Sequence, residues 1–166
     1  MDADGAKKIL SLCSALQSGA DDGGFGATAR EAEPIALFDR LITHPKIVDA
    51  GRSLFLDGYY ALAVEECFKC LNSEVKNRAG LDDDGVPLMQ KAFTPKGAIL
   101  RFNDRQTESE RNEQGGYMNI LAGCMQGIRN PRAHTHKYDD APDRALEMIC
   151  WANHLMTKIE AAVKTP

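Results

Sequence analysis

Apolar residues recur at every third or fourth position over much of the chain, the spacing that gathers them on one face of a helix. Between Tyr59 and Lys76 the series Tyr60, Ala63, Val64, Cys67, Phe68, Leu71 and Val75 predicts a helix whose polar face carries Glu65, Glu66, Lys69 and Glu74. A second long series, Ala145, Met148, Ile149, Ala152, Leu155, Met156, Ile159 and Val163, follows Pro142, a residue suited to a first helical position. Pro34 opens a predicted short helix to Ile42. Pro45 opens another, on which Ile47, Val48, Leu54 and Phe55 share a side before Gly58 interrupts. The run LDDDGV ends the Tyr59 helix, and Pro87 to Phe93 reads as a short helical turn. Thr94 to Arg105 holds Pro95, Gly97 and the apolar patch Ile99, Leu100 and Phe102, and reads as a loop with at most a short extended piece. Thr107 or Ser109 then offers an N-cap for a helix to about Ile128. Inside that helix Gly115, Gly116, Gly123 and Gly127 each cost roughly 1 kcal/mol against alanine, which suggests close packing on a neighbouring helix. Four to five main helices and no convincing strand predict an all-α helical bundle.

Ahead of this bundle, Ile9, Leu12, Cys13 and Leu16 lie at helical spacing and predict an amphipathic arm. Two aspartates precede Lys7 and Lys8, and the apolar run is too short and too serine-rich for a signal peptide. The glycine-rich text QSGADDGGFGATAREAE reads as a linker. The expected organisation is therefore an arm and linker over residues 1–33 and a helical domain over 34–166. No run approaches the ~20 apolar residues of a membrane span, so no membrane partner is expected.

Apolar residues make up 43% of the chain and charged residues 27%, the balance of a folded globular protein. The net charge of −4 repels nucleic acid overall, so any such contact must be local. Cys13, Cys67, Cys70, Cys124 and Cys150 are odd in number and set in apolar stretches, which suits core thiols in a reducing, cytoplasmic compartment. Cys67 and Cys70 form a C-x-x-C without the second pair that structural zinc needs.

The chemistry concentrates in GIRNPRAHTH, residues 127–136. From Ile128 to Tyr138 every ionisable side chain is a base: Arg129, Arg132, His134, His136 and Lys137. On an unbroken helix, positions five apart differ by about 140° around the axis, so Arg129 and His134 would face apart. Pro131 disfavours helix at Asn130, which makes Asn130 a candidate N-cap where one helix stops and another starts. Such a break would bring the guanidinium and the imidazole together over a helix N-terminus, a place for phosphate. Arginine supplies a charged planar fork for phosphate oxygens, and histidine as a residue type gives or takes a proton near neutral pH. Together they meet the needs of cleaving a ribose phosphate backbone. No H-x-x-x-H or carboxylate cluster calls for a metal, and no cofactor is expected.

Arg129, Asn130 and His134 match the R-N-x-x-x-H signature of the HEPN superfamily. The blocks SLFLDGYYALAVEECFKCLNSEV, DGVPLMQKAF and NEQGGYMNILAGCMQGIRNPRAH resemble its Ymh-type proteins over roughly Ile47 to Ile159. The resemblance implies a helical bundle, often a two-fold homodimer with two motifs across a cleft, and a metal-independent ribonuclease. It implies Arg129 and His134 as the catalytic pair, oriented by Asn130, with an acidic partner from another helix for which Glu65 and Glu66 are candidates by position. Arg132, His136 and Lys137 are candidate substrate contacts.

Among the remaining residues His44 and His154 read as structural and Trp151 as packing or interface, while Arg101 and Arg105 could touch RNA. Two functions follow from the motif. One is an endoribonuclease acting on single-stranded or loop RNA and leaving 2′,3′-cyclic phosphate ends, as a toxin or phage-defence effector with an antitoxin or activator. The other is a non-catalytic module that binds protein, nucleotide or RNA.

Overall fold

The computed structural model describes residues 26–165, with side chains from residue 34 onward. The arm expected around Ile9 to Leu16 lies outside the described residues. Contacts divide the chain into Met1–Glu33 and Pro34–Pro166.

Six helices of nine or more residues occur among the described residues: α1 Gly26–Leu41, α2 Pro45–Leu56, α3 Tyr60–Ala79, α4 Gly85–Phe93, α5 Glu108–Cys124 and α7 Pro142–Ala161. A π-helical turn, Met125–Arg129, and the five-residue α6, Asn130–His134, continue α5. The chain is thus predominantly α-helical.

Helix α3 is the centre, packed by α2, α7, α4 and the π turn. Its apolar series is buried as spaced, with Val64, Cys67, Phe68, Leu71 and Val75 withdrawn from water. Close packing on α2 depends on Gly51, because a Cβ there would stand 2.5 Å from the Cys67 sulfur. Burial pushes the Cys67 thiol up to about 12 and the Cys124 thiol up to about 11, so both are inert core groups.

Three boundaries differ from expectation. Pro34 lies inside α1 and does not open it. The predicted linker is helical from Gly26, where Ala, Arg and Glu replace glycine and favour helix enough to carry one interior proline. Val163 leaves the helical series: α7 ends at Ala161, and Val163–Lys164 forms a strand, β2, antiparallel to β1, Leu100–Arg101. Val163 is exposed there, so its helical spacing carried no burial.

Thr107 is the N-cap of α5 and closes a capping box, its hydroxyl accepting from the Glu110 N–H at 3.2 Å while the Glu110 carboxylate accepts from the Thr107 N–H at 2.8 Å. The buried Gln114 ties α5 to its neighbours by donating to the carbonyls of Phe93 and Leu100 and accepting from the Phe102 N–H. Of the α5 glycines only Gly115 meets a neighbour, with Pro95 3.3 Å from its Cβ position. A Cβ on Gly116, Gly123 or Gly127 would meet open space, so the helix contact expected for them is absent within this unit.

Candidate functional site

Pro131 does not break the helix. Asn130 is helical (φ −62°, ψ −41°) and its N–H donates to the Met125 carbonyl five residues back. The irregularity falls one turn earlier, as the π turn Met125–Arg129. A proline ring crowds the carbonyl four residues before it and offers that carbonyl no donor, and a widened turn accommodates both defects without ending the helix. Two expectations fail with the break. Asn130 is not an N-cap, and no free helix N-terminus stands behind Arg129 to receive phosphate. Helical geometry keeps Arg129 and His134 about 140° apart around one axis. Arg129 is directed inward, and His134 is exposed.

Arg129 has 12% of its side chain exposed, and its Nη2 donates to Oδ2 of Asp84 at 2.5 Å. Asp84 comes from the DDDG run between α3 and α4 and is itself held by Asn72 of α3. The Asn72 amide nitrogen donates to Asp84 Oδ1 at 2.6 Å, and its oxygen accepts from the Gly85 N–H at 2.9 Å. Gly85 takes a left-handed φ of 59°, and a Cβ there would lie 3.8 Å from Arg129 Nη2, so the turn approaches the guanidinium closely. The hydrogen bond from Arg129 holds the Asp84 carboxyl below its ordinary range.

The carboxylate that pairs with Arg129 is thus Asp84, and not Glu65 or Glu66. Glu65 and Glu66 both pair with Lys69, at 2.7 Å and 2.9 Å. Glu65 lies seven residues before Asn72, roughly 10 Å along the helix. Neither contacts Arg129. A sequence signal for the true pair did exist. Asn72 is a polar residue on the apolar face of α3, between Phe68 and Val75, and buried polar groups need partners.

Arg132 is corrected as well. It is buried, donates through Nε and Nη2 to both oxygens of Asp140 at 2.7 Å and 2.8 Å, and gives Nη1 to the Ile128 carbonyl at 2.7 Å. Tyr138 covers the guanidinium at 4.8 Å. Arg132 thus braces the turn from a buried position, where an exposed substrate contact was expected. His136 and Lys137 are exposed, Lys137 at a left-handed φ of 55°.

His44 is structural, bonded to Glu160 at 3.0 Å. Arg105 donates through Nη1 to the Pro95 carbonyl at 3.0 Å, and Arg101 lies 3.9 Å from Asp104. Helices α5 and α7 border an open cavity of about 310 Å³ lined by Tyr117, Ile120, Cys150, Trp151, His154 and Leu155, outside the motif. Trp151 is 58% exposed at its rim, and the Tyr117 hydroxyl bonds His154 at 2.9 Å. Among the described residues no group of three or more His, Cys, Asp or Glu is arranged for a metal ion, and no helix is long and apolar enough to cross a membrane.

No curated protein and no solved structure matches the chain. Residues 42–159 match the model of the family described as "Protein of unknown function (Hypoth_ymh)". That span contains Asn72, Asp84, Arg129, His134 and Asp140 and covers more than half of the 166 residues, so this chain belongs to the Ymh family.

Proposed function

We propose that this protein is a metal-independent endoribonuclease of the HEPN type, acting in the cytoplasm on single-stranded or loop RNA as a toxin or phage-defence effector. The observation that carries the reading is the Asn72–Asp84–Arg129 chain of hydrogen bonds. It aims a mostly buried guanidinium from the same helical stretch that bears the exposed His134. Preorganised cations are what a developing phosphorane charge requires.

In this reading a histidine takes the proton of a ribose 2′-hydroxyl, the 2′-oxygen attacks phosphorus, and the bond to the 5′-oxygen breaks as that oxygen is protonated. The products are a 2′,3′-cyclic phosphate and a 5′-hydroxyl. Arg129 holds the phosphoryl oxygens, and Asn130 orients the pair. Lys137 supplies positive charge along the strand, which the net −4 of the chain makes necessary, and His136 stands exposed beside it as a hydrogen-bonding group.

One chain turns Arg129 and His134 to different sides of a helix, so a cleft with two motifs needs a second copy. The open glycines of α5 and the Trp151 rim are the surface we assign to a two-fold homodimer. An antitoxin or activator would bind the assembled cleft. The deciding experiment is incubation of purified protein with end-labelled RNA in chelator, with wild type compared to His134→Ala and product ends identified.

A second reading, a module that binds a nucleotide or RNA phosphate without cleaving it, is favoured by one observation. Arg129 is directed inward and His134 stands about 140° away around the same helix, so a phosphate on Arg129 has no histidine beside it within one chain. RNA binding without cleavage in the same assay selects it.

A further inference from the structure

Three arginines donate hydrogen bonds to carboxylates among the described residues, and one does so differently. Arg52 grips Asp39 side-on, through Nε at 2.7 Å and Nη2 at 2.9 Å. Arg132 grips Asp140 through the same two nitrogens. Arg129 gives Asp84 only Nη2, and its Nε is buried without a partner.

Asn72 explains the difference. Its amide nitrogen draws Oδ1 of Asp84, and its own oxygen accepts from the Gly85 N–H, so Oδ1 is engaged by Asn72 and only Oδ2 meets the guanidinium. An unpartnered buried donor on a cation is costly. Nε of Arg78 and of Arg101 is left in the same way, but only at Arg129 does a carboxylate already accept a hydrogen bond from the other nitrogen of that edge. Nε and Nη2 form one edge of a guanidinium, the edge that receives two oxygens of a phosphate. Asp84 is 62% exposed, so its carboxylate can be resolvated by a small rotation, whereas Arg129 cannot leave.

We propose that Asp84 is an exchangeable counterion, held half-engaged by Asn72, which yields Arg129 to a phosphate group that fills both Nε and Nη2. This inference rests on the reading of Arg129 as a phosphate ligand. The chain keeps its buried cation neutralised when no substrate is present, yet leaves one donor unsatisfied so that a bidentate anion gains a hydrogen bond that Asp84 cannot make. A fully bridging carboxylate, as at Arg132, would compete too well.

The test is a titration of the full chain with inorganic phosphate, followed through the Arg129 Nε–H resonance, which Arg129→Lys identifies by its loss. Asp84→Asn removes the competing charge and should bind phosphate about tenfold more tightly than wild type, as expected for one nearby charge at an exposed site. Asn72→Ala frees Asp84 to bridge the fork and should bind more weakly than wild type. Asp84→Ser serves as a second neutral variant if Asp84→Asn disturbs the turn, with circular dichroism checking the fold of each. Weaker or equal binding in the neutral variants, or no phosphate response in any of them, overturns the proposal and makes Asp84 a fixed brace. The nuclease reading is judged separately. Absence of RNA cleavage with the phosphate order intact removes the nuclease and leaves the counterion, and cleavage with the order reversed does the opposite.

Discussion

Arg132 and Asp140 meet through two hydrogen bonds of 2.7 Å and 2.8 Å with only 4% and 5% of their side chains exposed. Removing one partner leaves an uncompensated buried charge, a loss of about 3–5 kcal/mol. Arg132→Ala should therefore lower the urea midpoint sharply, and Arg132→Met with Asp140→Leu should recover most of it. A stable Arg132→Ala that binds RNA poorly would return Arg132 to the substrate contacts.

Gly51 and Cys67 form a second coupled pair. A methyl at Gly51 would sit 2.5 Å from the Cys67 sulfur, so Gly51→Ala should cost about 1–3 kcal/mol by overpacking. Cys67→Ala alone leaves a small void, and the double variant should be more stable than the sum of the singles. Additive losses in thermal melts would show that the two helices adjust independently.

Acid should loosen the structure through carboxylates held low by their partners. Arg129 lowers Asp84, Lys158 lowers Glu113, and Lys46 lowers Glu160. Each folded value lies below its unfolded one. Their contribution is therefore complete above the ordinary values of 3.8 for aspartate and 4.5 for glutamate, and is lost as pH falls below these toward the folded values. Denaturation midpoints measured from pH 6 to pH 2.5 should fall across that window, and Asp84→Asn should flatten part of the fall.

If the nuclease reading holds, His134→Ala should lose the acid–base share of the rate, typically ~10²–10⁴-fold, with the fold intact because the ring is exposed. Arg129→Lys should also be poor, since an ammonium lacks the planar fork. DNA and 2′-O-methyl RNA should resist, because neither carries the attacking hydroxyl. Full activity in His134→Ala, or products with 5′-phosphates, would exclude the mechanism.

Helical periodicity alone determined the core: Val64, Phe68, Leu71, Ile149, Ala152, Leu155 and Ile159 are buried where their spacing put them, because a helix face is a local property of the chain. An N-cap at Thr107 or Ser109 was legible for the same reason, and the structure chose Thr107 and closed its capping box with Glu110. The continuation of the helix through Pro131 was not legible, because a proline's local preference for a turn was overridden by packing of the π turn against α3 and α4. Asp84 could not be matched to Arg129, 45 residues away, nor Arg132 to Asp140, because residue type does not say which carboxylate a guanidinium will reach. The sequence could name the bases of the site. Only the fold chose their acids, since Arg129 meets Asp84 through the packing of α3, α4 and the π turn, and Arg132 meets Asp140 through the path of the turn that leads into α7.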